Sequence, residues 1–415
     1  MLPEGWDLFY FGEIAKVGSG QVDPKQEPYA SMIHIGPENI ESGTGRIVSP
    51  QRCSDLGLIS GKYEFDEKAV IYSKIRPHLN KVCFPGFKGV CSADAYPIWP
   101  DEARVLPEYL KHYMLGRAFE KRAVACSMRT GMPKINREDL YGIPVVVPPL
   151  AEQSRIAKIL STWDQAIAKS EQLVAASVQR RLLLSQQILT GKVRLENFPA
   201  TGRKQKTPYG DLPIEWAYRR IGEVAAEVSK KLGDGEPHPV LSCTKHKGLV
   251  DSLEYFNKQV FSADTSTYKV VPRGCFVYAT NHIDEGSIGY QNLYDFGLVS
   301  PMYTVFRADD DVDDAYLFAL LKTEHYRQIF ASATNASVDR RGSLRWKDFR
   351  NLKIPLPPKD EQRAIANVLT RASEEVDLLQ AQLDLLRQEK SALMSQLLTG
   401  KRRVKLPGAK MEALA

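Results

Sequence analysis

The sequence is poor in the features that mark whole classes of protein. Its six cysteines, Cys53, Cys83, Cys91, Cys126, Cys243 and Cys275, form no C-x-x-C pair and have no histidine at ligand spacing. Neither a zinc site nor a disulfide framework is indicated, and the thiols read as reduced and mostly buried. No run of about 18 apolar residues occurs, and the start MLPEGWDLFYFGEI lacks a basic region followed by an apolar stretch, so a cytoplasmic protein with no membrane segment is expected. A phosphate loop ending in Gly-Lys-Ser/Thr is missing, and Gly18-Ser19-Gly20, without a third glycine, reads as a turn. An adenine methyltransferase would need a loop with two adjacent prolines and an aromatic residue to hold a flipped base. The nearest string, Ser300-Pro301-Met302-Tyr303, lacks the second proline and has no glycine-rich partner upstream, so it reads as strand. No catalytic residue, cofactor or metal is expected of this chain.

What is present is ordinary in composition and unusual in arrangement. Hydrophobic residues make up 43% and charged residues 26% of 415 residues, which suits a multidomain globular chain. The formal net charge of +6 tilts only mildly toward a phosphate-bearing partner. The strongest signal is internal: PPLAEQSRIAKIL at 148–160 recurs as PPKDEQRAIANVL at 357–369, and QILTGK at 187–192 as QLLTGK at 396–401, both at an offset of 209. Leu2, Pro3 and Trp6 correspond to Leu212, Pro213 and Trp216 at an offset of 210. A period this long marks a duplicated domain pair rather than a solenoid.

Each period divides into a front of roughly 145 residues and a helical back of roughly 40. Alternating steps of four and three give Ile156, Leu160, Trp163, Ile167, Ser170, Val174, Ser177, Arg181, Leu184 and Ile188 in the first helix. In the second they give Ile365, Leu369, Ala372, Val376, Leu379, Leu383, Leu386, Lys390, Leu393 and Leu397. This is a coiled-coil seam. Pro148-Pro149 and Pro357-Pro358 forbid helix upstream, while Glu152 and Glu361 suit the positive N-terminal ends, so the helices should begin near 150 and 359. Gly191 and Gly400, each followed by lysine, should end them near 190 and 399. Arg181 and Lys390 interrupt the seams at equivalent places; either they snorkel to water or they fix the register of the coil. The stretch from Phe198 to Pro208 reads as a linker.

Both fronts read as α+β modules. Val70-Ile71-Tyr72-Ser73 and Phe276-Val277-Tyr278-Ala279 are strand candidates followed by polar, basic loops. One amphipathic helix follows in each, from Leu106 to Val124 and from Asp314 to Ala331. Then come Gly131 and Gly342, each three residues before a base, Lys134 or Arg345.

Paired P-P-x-x-E-Q helices ending in Q-[IL]-L-T-G-K, each behind a front of this size, resemble the specificity subunits of type I restriction-modification enzymes over nearly the whole chain. YSKIRPHLNKV at 72–82 and VLSCTKHKGLV at 240–250 are similar to segments of that family's target recognition domains. The resemblance implies an α+β fold with two target recognition domains, each followed by a long helix of the family's conserved regions, the two helices packed as an antiparallel coiled coil. The expected boundaries are 1–149 and 212–358 for the recognition domains, 150–192 and 359–405 for the helices, 193–211 for the linker and 406–415 for the tail. It also implies partners: double-stranded DNA with a bipartite, asymmetric target, two methyltransferase subunits that methylate adenine, and two restriction subunits that translocate and cut.

Lysine and arginine hold phosphates, while arginine, asparagine and glutamine read base edges. On that chemistry the candidate DNA face of the first front is Lys74, Arg76, His78, Asn80 and Lys81 with Arg129, Lys134 and Asn136. In the second it is Lys245, His246, Lys247, Asn281 and His282 with Arg340, Arg341 and Arg345. Any one of these alone reads as a solvated charge; the set is the candidate. Thr190-Gly191-Lys192 and Thr399-Gly400-Lys401 are either helix caps or docking points for the methylating subunits. Two rivals remain at this stage, a coiled-coil scaffold that binds protein and a self-contained methyltransferase.

Overall fold

Alternation along short β-branched and aromatic runs builds the same layered sheet twice. The computed structural model describes residues 2–127, 133–198, 201–245, 247–335 and 342–405. They fall into two compact units, one of residues 1–173 with 379–415 and one of residues 174–378. In the first unit Val70–Ser73 is central in a four-stranded antiparallel sheet, between Ala95–Pro100 and Val82–Cys83, with Ala15–Val17 beyond Ala95–Pro100. Val70 and Tyr72 point into a helical core with Tyr109 and Phe119, whereas Ile71 points into a second core with Ile35, Phe65 and Cys91. A period of two thus gives one strand two buried faces. The second core belongs to another sheet, ordered Gln51–Arg52, Ile33–Ile35, Gly89–Cys91, Tyr63–Phe65.

The second unit repeats this plan. Phe276–Ala279 lies between Tyr303–Ala308 and Ile288–Tyr290, with Ala225–Glu227 at the edge. Phe276 and Tyr278 face the helical core and Val277 the other one. Leu241–Thr244 pairs with Gly248–Asp251, and Lys269–Pro272 with Phe296–Val299. A parallel bridge from Val240 to Leu298 takes the place of the parallel pair formed by Ile33–Ile35 and Gly89–Cys91.

Two sequence expectations change here. Each front has two consecutive helices where one was expected: Pro107–Leu115 then Arg117–Cys126, and Asp314–Leu321 then Glu324–Asn335. The first break falls at Gly116, in extended backbone (φ −71°, ψ 143°), where a Cβ would stand 3.0 Å from the Leu398 side chain. Within the stretch read as a linker, Lys204–Thr207 and Gly210–Pro213 pair as a hairpin, whose Tyr209 ring packs edge-on to His325. Gly131 and the tail 406–415 lie outside the described residues.

The long helices span Leu150–Leu189 and Lys359–Leu397. Every seam position is buried or half-buried. The seam cations are held inside: Lys390, 8% exposed, pairs with Asp164 at 2.5 Å, and Asp164 also faces Lys111 at 3.5 Å. Burial lowers the pKa of Lys111, opposed by Asp164. At the equivalent place in the second unit, Arg181 Nη1 donates to Ser373 Oγ at 3.4 Å. In the first unit Asp164 meets Lys390 and Glu171 meets Arg387, so one segment runs up in number as the other runs down. Arg180 with Glu375 and Arg194 with Glu361 give the same sense in the second.

The repeated P-P-x-x-E-Q motif becomes intelligible from its partners. Glu361, 1% exposed, accepts from Arg194 Nε (2.5 Å) and Nη2 (2.8 Å) and from Trp216 Nε1 (3.0 Å). Glu152, 4% exposed, accepts from Trp6 Nε1 at 3.3 Å and from Arg403 Nε at 3.0 Å, with Arg403 Nη2 on its other oxygen. Each buried carboxylate at the start of one helix is therefore neutralised by an arginine that follows the other helix. The adjacent amide is consumed too. Gln153 accepts from Leu106 N (2.8 Å) and donates to Arg104 O (2.8 Å) and Pro148 O (2.7 Å). Gln362 does the same with Asp313 N, Asp311 O and Pro357 O. Gly191 and Gly400 end the helices with φ of 64° and 71°, and a Cβ on either would overlap Pro213 or Pro3. Left-handed backbone and close approach both require glycine there.

Removing one partner of a buried pair strands the other, at a cost of about 3–5 kcal/mol. Arg194→Ala should lower the urea midpoint of unfolding, followed by tryptophan fluorescence, more than Arg403→Ala does, because the side chain of Arg194 is 9% exposed and that of Arg403 44%. Equal shifts, or the reverse order, would show that burial of the pair is not what stabilises the joint.

Candidate nucleic-acid interface

In both fronts the loop leaving the central strand is tied to the segment entering a short helix. In the first, Ser73 N donates to Lys81 O (3.0 Å), Arg76 N to Pro133 O (2.8 Å) and Ile135 N to Lys74 O (2.9 Å). Arg76 and Asn80 adopt left-handed backbone, φ 49° and 42°, which folds the loop tightly around the buried Pro77. These bonds bring Lys74 and Arg76 beside Lys134, with His78 further along the same loop. Arg76, His78 and Lys134 are exposed. Lys74 lies over the Tyr96 ring, 5.2 Å from its centroid, and its pKa is lowered by burial and then by the neighbouring Lys134.

Other candidates of this front are used internally. Asn80 is buried and its amide donates to Leu115 O at 3.0 Å. Lys81 Nζ donates to Pro37 O at 2.5 Å. Asn136 caps the helix Arg137–Tyr141, its Oδ1 accepting from Asp139 N at 2.7 Å. The sequence marks these three by chemistry alone, and packing shows that one polar atom of each already has an internal partner. Arg129 lies outside the described residues.

The second front repeats the tie: Leu344 N donates to Thr280 O at 2.8 Å and Ala279 N to Ser287 O at 3.2 Å. Asn281 and His282 thereby sit near exposed Arg345, at the start of Trp346–Phe349. His282 Nδ1 is 3.0 Å from Glu285 Oε1, so this loop presents less net positive charge than its counterpart. A residue that sequence reasoning passed over joins a third segment: Lys322 Nζ donates to Lys245 O and to Gly286 O, each at 2.9 Å. That draws exposed Lys245 and Lys247, at a hairpin tip, to the loop of Asn281 and His282. Burial lowers the pKa of Lys322, as its structural position requires. His246, Arg340 and Arg341 lie outside the described residues.

At the helix ends Thr190 and Thr399 donate back to Gln186 O (2.7 Å) and Ser395 O (2.6 Å), and the glycines abut prolines; Lys192 and Lys401 are exposed, as is Thr399. Among the described residues no group of His, Cys, Asp and Glu could hold a metal ion, and no helix is long and apolar enough to cross a membrane.

Two layered fronts built on one plan, each offering a basic loop and each braced by parts of both long helices, define a duplicated recognition module. The family model of the type I restriction modification DNA specificity domain matches residues 3–176 and again 213–388. The chain belongs to that family. The specificity subunit of the type I restriction enzyme EcoDI from Escherichia coli is 36% identical over 195 residues, 47% of this chain and 43% of that relative. The MjaVIII specificity subunit from Methanocaldococcus jannaschii is 24% identical over 97% of this chain and 94% of its own. In fold, the crystal structure of the HsdS subunit from Thermoanaerobacter tengcongensis superposes with a TM-score of 0.53 at 22% identity, covering 97% of this chain and 98% of that one.

Internal and outward residues should separate in experiment. Asn80→Ala should destabilise the fold by about 1–3 kcal/mol through the stranded Leu115 carbonyl while leaving the salt dependence of DNA binding unchanged. Arg76→Ala should leave stability intact and make the slope of log K against log salt shallower by about one. Measuring both quantities for both variants decides the matter; an Asn80→Ala variant of normal stability and altered slope would return that residue to the interface.

Proposed function

We propose that, within the family's role in DNA sequence specificity, each front reads one half of a split, asymmetric target and the chain itself catalyses nothing. The observation that supports this most is that equivalent loops, held by equivalent backbone ties, carry unlike side chains: Lys74, Arg76, His78 and Lys134 in one front, Asn281, His282 and Arg345 in the other. The same frame with different donors suits two different half-sites. The recognition domains are taken as residues 1–149 and 212–358. Lys74, Arg76, His78, Lys134, Lys245, Lys247, Asn281, His282 and Arg345 are the proposed contacts.

Two methyltransferase subunits would bind one copy of this chain and methylate adenine at the sites it selects, with Lys192 and Lys401 among the points where they dock. Two translocating restriction subunits would add cleavage of unmodified DNA. The long helices would pack as an antiparallel coiled coil that spaces the two half-sites, the reciprocal ion pairs Arg403–Glu152 and Arg194–Glu361 holding their ends.

Replacing residues 1–147 with the front of a related subunit should change one half of the methylated sequence and leave the other as it was. Sequencing of methylated sites in genomic DNA, after reconstitution with the methyltransferase subunit, gives the answer. If both halves change together the fronts are not independent readers. Methylation by the purified chain alone would overturn the assignment of chemistry to its partners.

A further inference from the structure

The second front carries an apolar surface that the basic loops do not account for. Directly after the hairpin tip with Lys245 and Lys247, Ser252–Phe256 forms a short helix ended by Asn257 in left-handed backbone, φ 52°. Its large apolar side chains face outward: Leu253 is 53%, Tyr255 44% and Phe256 39% exposed. The helix is nevertheless pinned. Asp251 accepts from Leu253 N (2.8 Å) and Glu254 N (3.2 Å), Tyr294 Oη donates to Asp251 Oδ2 (3.1 Å), and the buried Ser252 hydroxyl meets Ser242 Oγ at 2.7 Å. A rigid platform that shows apolar groups to water signals an interaction surface.

The first front has a related element. Gln51–Arg52 leads into Cys53–Leu56, which ends at Gly57 with φ 58°; its last residue, Leu56, is 38% exposed, and Ile59, beyond the helix, is 81% exposed. Both copies therefore expose at least one apolar side chain at the helix that follows this strand. In the second front the surroundings are cationic: Lys247 Nζ stands 5.4 Å over the Tyr255 ring, and Lys245 and Lys258 are exposed nearby, against one exposed carboxylate on the helix, Glu254. Lys322, through its bonds to Lys245 O and Gly286 O, makes this surface continuous with the loop of Asn281 and His282.

We propose that the helix Ser252–Phe256 is a further reading element of the second front, in which Leu253, Tyr255 and Phe256 meet a base step of duplex DNA while Lys245 and Lys247 hold the flanking phosphates. Apolar side chains sense thymine methyl groups and the stacking of a step, which lysine alone does not. The element adds base preference where the proposed polar loop supplies few donors. This inference rests on the DNA-reading function proposed above, and the test separates the two.

The test is photo-crosslinking of the complex with its methyltransferase subunits on fragments of host genomic DNA. A photoreactive p-benzoylphenylalanine replaces Tyr255 in one preparation and His282 in another. Crosslinks to DNA from both positions are expected. DNA crosslinks from position 282 only, or a crosslink from position 255 into a methyltransferase subunit, would overturn the inference and leave the DNA-reading function standing; none from either would overturn both. On a duplex taken from a methylated genomic site, Tyr255→Ala with Phe256→Ala should weaken binding by about 10- to 100-fold. The salt slope should stay unchanged and preference should relax at one position of the second half-site. Lys247→Ala should instead make the slope shallower by about one. An unchanged affinity for the double variant would overturn the inference, as would a loss that falls equally on every sequence.

Discussion

A carboxylate taken out of water is tolerated only where a counter-charge and hydrogen bonds replace the water it lost. Glu152 and Glu361 are taken out of water at the first turn of each long helix, and in each case the arginine arrives from the residues just past the end of the other one. Tryptophan from the start of the local front supplies a further donor, and the guanidinium lies 5.9 Å from that indole's centroid in both units. Neither repeat can therefore complete its own joint. Front, helix start and the opposite helix end are made interdependent by one charge, and the neighbouring glutamine and glycine extend the same joint into the backbone.

Much of this was legible beforehand, for reasons that can be located. Helix ends were readable because proline and glycine act locally, and the central strands because valine, isoleucine and tyrosine bury both faces of a strand. The role of Glu152 and Glu361 was not readable in the same way: a glutamate at an N-terminus is already explained by the helix dipole, and that sufficient local reason hid the distant one. The signal that would have exposed it was the pair Arg194 and Arg403, which obey the same 209-residue offset as the glutamates. The first two-helix break was missed because periodicity continues across Gly116, which turns to extended backbone where the Leu398 side chain approaches.

Side-chain chemistry alone does not show which candidate groups already have internal partners. Asn80, Lys81 and Asn136 look like Arg76 and Lys134 in a sequence, yet each of the first three commits one polar atom internally, to Leu115, Pro37 and Asp139. The asymmetry between units was similarly hidden. Lys390 finds Asp164, whereas Arg181 at the equivalent place finds only Ser373 and has no partner for Nε among the described residues. A duplicated frame has thus diverged both where it would meet DNA and where its helices meet each other.

On the proposed function, in which the long helices pack as a coiled coil between the two fronts, helix length would space the half-sites. The direct measurement is to insert one heptad after Leu173 and one after Gln382, positions equivalent in the repeat, and to assay methylation on duplexes that differ only in spacer length. Seven residues keep the seam in phase and add roughly 10 Å, about three base pairs. The added DNA also rotates one half-site, so bending absorbs part of the change. The account predicts an optimum longer by about one to three base pairs with both half-site sequences unchanged. An unchanged optimum in a folded, active variant would contradict it.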